Sequence, residues 1–223
     1  VAVSAPFSDT PQVSDVGRVY VYNLAGATPA VPAIVVNNPE PATSDQFGNA
    51  LSLSGNLLVV GTRLDDAGAV NSGSVYVYDL GGASPANPLL TLRNPNPAAQ
   101  DFFGQSVAVS QGRIVVGVPS ADGGATDAGR AYVYDINSVT PTQPVLTLNN
   151  PAPAAGDQFG FSVSLFGDLA AVGANTDDAG ASDAGSVYVY DLAGASPTAP
   201  AWPLATPQPA ANDPFGVAGA VDG

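Results

Sequence analysis

Acidic side chains recur in loops along the chain, and carboxylates are its main candidates for chemistry. They occupy three sets of equivalent positions, which are Asp9, Asp65 and Asp177; Asp66, Asp122 and Asp178; and Asp15, Asn71, Asp127 and Asp183. Because calcium prefers carboxylate and amide oxygens, these positions are candidate ligands for a weak cation site in each loop or for a cation-bridged contact between molecules. The alternative, which we favour because the spacing is irregular, is Asx turns that bind the local backbone.

Catalytic side chains of other kinds are missing. The sequence has no His and no Cys, and its five basic residues are all Arg. It therefore lacks an imidazole base, a thiol nucleophile and a Schiff-base amine. Paired carboxylates could serve a glycosidase, but these aspartates recur along the chain instead of forming a single constellation. We predict that the chain is not an enzyme.

The loops belong to a 56-residue repeat that must position them. Phenylalanines, tyrosines and prolines mark it at constant spacing: Phe47, Phe103, Phe159 and Phe215; Tyr22, Tyr78, Tyr134 and Tyr190; Pro39, Pro95, Pro151 and Pro207. A period of this length with several short apolar runs per unit is typical of propellers and solenoids. An aspartate stands two residues before each of these phenylalanines, and we expect it to hold the connection between units.

Four apolar runs per unit predict four strands. In the unit 45–100 they cover 50–54, 57–61, 73–80 and 88–92. Side chains alternate along a strand, so Val75 and Val77 face one way and Tyr76 and Tyr78 the other. Both faces are apolar, which predicts a sheet covered on both sides.

The unit count predicts how the chain is closed. The chain is one residue shorter than four units, and its last residues supply the first strand of a unit whose other strands lie at the start. We predict an all-β fold, a single β-propeller domain over 1–223 with four four-stranded antiparallel blades: 1–44 plus 213–223, 45–100, 101–156 and 157–212. Pairing of the N- and C-terminal segments completes the first blade. The residues expected at this closure, or at a subunit contact, are Val1, Ala2, Val3, Phe215, Gly216, Val217 and Val221.

Charge and composition exclude several partners. The net charge of −14 argues against nucleic acid and anionic membrane surfaces, which would repel the chain. No apolar run approaches the about 20 residues needed to cross a bilayer, so we expect no membrane insertion. The absence of Cys leaves the redox compartment open. The chain does not start with Met, and we expect a mature or excised piece whose secretion signal is out of view.

The repeat resembles the FG-GAP family, the blade repeat of integrin α-subunit propellers and of many bacterial surface proteins. Its carriers are Phe47-Gly48 with the equivalent pairs at 103, 159 and 215, and Gly117-Val118-Pro119 for the second half of the signature. The resemblance implies a propeller at the cell surface or outside the cell. Integrin-like propellers have more blades than the four units seen here. The family's calcium loop, similar to Asp-x-Asp-x-Asp-Gly, has no counterpart in the short turn at 54–56, so that site is not carried over.

The resulting hypothesis is a non-catalytic extracellular or cell-surface propeller that serves as an adhesion or structural assembly module. We expect a protein partner or self-association and no cofactor, with calcium and a glycan as the ligands considered. One alternative is a strand-exchanged building block of a filament or surface lattice, in which 213–221 completes the open blade of the next molecule. Others are a fragment of a longer propeller and a glycan-binding, lectin-like propeller that depends on calcium.

Overall fold

A computed structural model of the chain describes residues 1–222, which form four antiparallel sheets and contain no helix. Within these residues nothing helical is available to cross a membrane. The predicted all-β architecture is confirmed. In chain order the strands of the first two sheets are β1 (Ala2–Ala5), β2 (Arg18–Val21), β3 (Ile34–Asn37), β4 (Ala50–Ser54), β5 (Leu57–Thr62), β6 (Ser74–Asp79) and β7 (Leu90–Arg93). Those of the last two sheets are β8 (Ser106–Ser110), β9 (Arg113–Val118), β10 (Arg130–Asp135), β11 (Leu146–Asn149), β12 (Phe159–Phe166), β13 (Leu169–Ala174), β14 (Ser186–Asp191) and β15 (Trp202–Ala205).

Each sheet takes its strands consecutively from one stretch of chain. Ser54 pairs with Leu57, which leaves Gly55-Asn56 as a two-residue turn, and Gly55 has a φ of 58°. Two-residue hairpin loops favour glycine because they need left-handed backbone. The short predicted connection between the first two strands of this unit is therefore present.

The core lies between the sheets in three apolar clusters, one for each neighbouring pair. In the middle cluster Val75 and Val77 of the second sheet meet Tyr132 and Tyr134 of the third, with Phe103 wedged between the two sheets. The Phe103 ring centroid lies 6.2 Å from that of Tyr132 and 6.3 Å from that of Tyr134. The two middle sheets are thus covered on both faces, as their sequence predicts.

A close backbone approach holds each Phe-Gly segment on the preceding sheet. The Phe103 N–H donates to the Ser72 carbonyl at 2.9 Å. A Cβ on Gly73, whose φ is 84°, would lie 2.1 Å from the Phe103 oxygen. Only glycine fits this position. The same crossing recurs at Gly129, where a Cβ would lie 2.1 Å from the Phe159 oxygen.

The first sheet departs from the strict 56-residue register. Val3 pairs with Tyr20 in the first sheet. In the second sheet Val59 pairs with Val77, and the residues 56 positions earlier are Val3 and Val21. The strict repeat would therefore pair Val3 with Val21. The loop after β1 is one residue longer, so β1 is displaced by one position. Val1 therefore takes the place of Leu58, whereas the 56-residue spacing predicts that it takes the place of Leu57.

The predicted completion of the first blade is not formed in this structure. The first sheet has three strands in the order β1-β2-β3, and 213–222 contain no strand. These residues pack on the fourth sheet instead: the Phe215 N–H donates to the Ala184 carbonyl at 2.9 Å, and the Val221 N–H donates to Ser164 Oγ at 2.9 Å. Among residues 1–222 no strand pairing joins this segment to β1.

Candidate functional site at the two end faces

Among residues 1–222 the stacking leaves two sheet faces without a neighbouring sheet. We call the face of the first sheet that carries Tyr20 and Tyr22 the first end face. The face of the fourth sheet that carries Val187 and Val189 is the last end face. Both are the outward sides of sheets whose other sides are buried in the core.

The first end face exposes apolar side chains that are buried elsewhere. Val1 is 55% exposed and Val3 49%, whereas the residues in the same places on β5, Leu58 and Val60, are 0% exposed. Tyr20, opposite Val3, is half-buried. Tyr22, opposite Val1, is half-buried as well. The equivalent tyrosines of the second sheet are fully buried. The first end face therefore lacks the neighbouring sheet that covers these positions in the second sheet.

The last end face is the matching half of the same kind of interface. Leu204 pairs with Val187 and is 45% exposed, while its equivalent Leu148 is 0% exposed. Phe215 is half-buried on this face, unlike the three earlier phenylalanines, which are 0% exposed. A groove of about 390 Å³ opens here, lined by Val187, Val189, Leu204, Phe215 and the residues 216–221. The groove lies on the outward face of the fourth sheet. In the internal interfaces, the corresponding face of the preceding sheet is covered by a pair of tyrosines from the next sheet.

The terminal segment lies where the first strand of a further sheet would lie. Ser162 Oγ donates to the Gly216 carbonyl at 2.8 Å, as Ser106 Oγ donates to that of Gly160 at 2.8 Å. The Val221 bond to Ser164 Oγ likewise repeats the Val109 bond to Ser52 Oγ. Residues 216–221 therefore follow the course of β8 and β12 without a second strand beside them.

The structure places the predicted closure residues on both end faces but does not bring them together. Val1 and Val3 are at the first end face, and the residues of the set from Phe215 onward are at the last. Ala2 lies on the other side of β1 and packs against the apolar cluster between the first and second sheets. Sequence reasoning missed the larger parts of both faces: Tyr20, Tyr22, Val187, Val189 and Leu204. Their 56-residue spacing from buried equivalents was the signal that could have found them.

Carboxylates of the acidic loops accept hydrogen bonds from the backbone of the same loop. Asp66 Oδ1 accepts a hydrogen bond from the Asn71 N–H at 2.8 Å, and Asn71 has a left-handed φ of 53°. The same bond joins Asp9 to Asp15, Asp122 to Asp127, and Asp178 to Asp183. Asp9 thus corresponds to Asp66, and its alignment with Asp65 is wrong because of the longer first loop.

The two remaining candidates bind tyrosine. Asp65 Oδ2 accepts a hydrogen bond from the Tyr76 hydroxyl at 3.1 Å and pairs with Arg93 at 3.3 Å; Asp177 Oδ2 accepts one from the Tyr188 hydroxyl at 2.7 Å. Nowhere in the described part of the chain do three acidic side chains converge on a point that could hold a metal ion. Calcium binding stays a prediction.

A second set of aspartates is buried in the connections between sheets. Asp45 Oδ2 accepts hydrogen bonds from Asn38 Nδ2 at 2.7 Å and from the Ala42 N–H at 2.6 Å. Burial raises the pKa of Asp45 to about 6 against these two bonds, which lower it. Asp101 and Asp157 have the same partners in their own units, and burial raises the pKa of each. These carboxylates hold the connection between units, as expected.

Comparison with protein families matches the FG-GAP repeat over residues 38–78, 91–134 and 149–190, more than half of the chain. The chain belongs to the FG-GAP repeat family. The resemblance carried by its Phe-Gly pairs is thereby confirmed. In this FG-GAP protein the phenylalanines of the first three Phe-Gly pairs pack between neighbouring sheets. The fourth, Phe215, lies on the last end face.

Solved structures that are similar to this FG-GAP chain include the crystal structure of the computationally designed Ika8 protein. The two share 14% sequence identity with a TM-score of 0.47, over 78% of this chain and 40% of the designed one. This chain therefore spans less than half of that protein's length. The comparison with curated proteins gave no match.

Proposed function

We propose that this FG-GAP protein is a non-catalytic extracellular or cell-surface module for adhesion or structural assembly, and that the two end faces are its contact surfaces. The family assignment supports a propeller-type surface module. The observation that carries the proposal is the pair of apolar sheet faces left uncovered by the stacking. Exposed apolar patches of this kind mark interaction sites.

The chemistry of the end faces favours a protein partner. Tyrosine is enriched at protein interfaces because its ring packs while its hydroxyl stays hydrated. The net charge of −14 disfavours nucleic acid. Arg93 and Arg113 are already paired with Glu40 and Asp168, which leaves little positive charge for a phosphate backbone.

Absence of catalysis and of a cofactor belongs to the same proposal. The ten loop positions first considered as metal ligands bind backbone N–H groups, lie in left-handed turns or bind tyrosine hydroxyls. At six of the positions these contacts occupy a carboxylate oxygen that a cation or a reacting group would need: Asp9, Asp65, Asp66, Asp122, Asp177 and Asp178. A structural role accounts for each of them.

Light scattering behind a sizing column tests the assembly function. We expect species heavier than the 22.1 kDa chain that grow with protein concentration, because association buries both end faces. Val187→Asp places a charge on the last end face and should shift the equilibrium towards monomer. Val139→Asp is the matched control, since Val139 is 99% exposed in a distant loop. A single 22.1 kDa species at every concentration would contradict assembly.

A further inference from the structure

We propose that the partner of the last end face is the first end face of a second copy of this chain. In this head-to-tail contact, residues 217–221 supply the missing first strand of the second copy's first sheet. The inference rests on the proposed function and deepens it by naming the partner and the strand register. Adding a strand to an open sheet edge is an established mode of protein recognition.

The repeated internal geometry favours a second copy over closure within one chain. Each of the three interfaces places one phenylalanine ring against two tyrosine rings, with centroid distances of 5.9 and 6.4 Å, 6.2 and 6.3 Å, and 5.8 and 6.3 Å. The aromatic packing is therefore nearly the same at all three interfaces. Quarter-turn steps would bring the fourth sheet against the first. Within residues 1–222 no strand pairing and no apolar cluster joins those two sheets, so the four sheets do not form a closed ring in this structure.

The two end faces complement each other residue for residue. Val187, Val189 and Phe215 stand where Val75, Val77 and Phe103 stand in the middle interface. On the other side, Tyr20 and Tyr22 stand where Tyr132 and Tyr134 stand. The groove beside Phe215 is the place that this tyrosine pair would fill. A second copy thus repeats an interface that the chain already makes three times.

The observed register predicts which residues pair. In the third sheet Ala108 pairs with Val115, and the equivalent of Ala108 in the terminal segment is Ala220. The displaced β1 places Ala2 where Val115 lies, because Val3 and not Ser4 is opposite Tyr20. Ala220 should therefore pair with Ala2 of the second copy. Without the displacement, the 56-residue spacing would pair Ala220 with Val3.

Head-to-tail contacts close into a ring when the steps complete a full turn and otherwise continue as a filament. Two copies would close at one eighth of a turn per step. The mass of the assembly separates these two forms, and either form uses the same contact.

Engineered cysteines test the contact directly, since the chain has no Cys of its own. Ala2→Cys chains are mixed with Ala220→Cys chains under mild oxidation. We expect a disulfide-linked species of twice the chain mass, because directly paired Cα atoms lie within disulfide reach. Val3→Cys with Ala220→Cys is the matched control, and its yield should be severalfold lower because neighbouring residues face opposite sides of a strand.

The outcomes separate this inference from the proposed function. A double variant, Ala2→Cys with Ala220→Cys, should give linked dimers or ladders on a denaturing non-reducing gel. A cross-linked species of single-chain mass would overturn the inference in favour of closure within one chain. Assemblies seen by light scattering without the cross-link would overturn the inference but leave the assembly function standing. Preferential linkage through Val3→Cys would overturn the register.

Discussion

Replacing Phe103 by alanine tests the central claim that the phenylalanine of each Phe-Gly pair joins two sheets. Phe103 is 0% exposed, and its ring packs against Tyr132 and Tyr134. Truncating a buried phenylalanine costs about 3–5 kcal/mol of unfolding free energy. Each aromatic pair contributes about 0.5–1.5 kcal/mol beyond its buried area. We therefore expect Phe103→Ala to cost about 4–5 kcal/mol, the upper half of that range.

The matched control is Phe215→Ala, which removes the same side chain from the equivalent position. Phe215 is half-buried and has no tyrosine pair opposite it in the described chain. In the dilute monomer its loss should cost about 1–2 kcal/mol, because only part of its area is buried. The same substitution should weaken self-association, since it empties the centre of the last end face.

Urea unfolding of the dilute monomer measures both variants. Far-ultraviolet circular dichroism follows the sheets, and the fluorescence of Trp202, the chain's single tryptophan, follows the fourth sheet. The reasoning is refuted if Phe103→Ala loses less than about 1 kcal/mol, a loss typical of average substitutions. It is also refuted if Phe215→Ala loses as much as Phe103→Ala in the monomer.

Three further perturbations address the crossing glycines, the buried carboxylates and the acidic loops. Gly73→Ala should destabilise the fold by about 2–5 kcal/mol, because it combines a left-handed φ with a clash. In the control Gly55→Ala the added Cβ would meet nothing within 4 Å, so only the left-handed φ should cost about 1–2 kcal/mol. Equal urea midpoints for the two variants would contradict the close approach at Gly73. The pKa of Asp45 rises from 3.8 to about 6 on folding, so the folded state binds the proton more tightly. Its stabilising effect is full below pH 3.8 and is lost as the pH rises through about 6, so the contribution of Asp45 to the unfolding free energy falls over that window. Asp45→Asn should flatten this part of the pH dependence, and an unchanged slope in thermal melts across the window would refute the assignment. Millimolar calcium should leave the melting temperature unchanged, because Asp66 and its equivalents already bind backbone; a rise of several degrees that is lost in Asp66→Ala would establish a cation site.

The repeated sheets follow from the sequence by itself. Alternation in runs such as 73–80 and turns such as Gly55-Asn56 are local properties, so they predict strands and hairpins without knowledge of the rest of the chain. The spacing of the Phe-Gly pairs adds the order in which sheets stack. The uncovered tyrosine and valine faces follow from the same spacing once each sheet is known to need a neighbour on both sides.

Only the tertiary structure decided the register of β1 and the position of 213–222. Ser4, not Ala5, stands opposite Gly48, where a Cβ on the glycine would lie 2.9 Å from the Ser4 Cβ. This close approach is between two sheets and leaves no trace in local sequence. In the displaced register Val1 and Val3 are exposed, and Asp9 accepts a hydrogen bond from the Asp15 N–H. Strand register depends on which side chains meet across a sheet and between sheets, and a one-residue displacement exchanges the two faces of a strand.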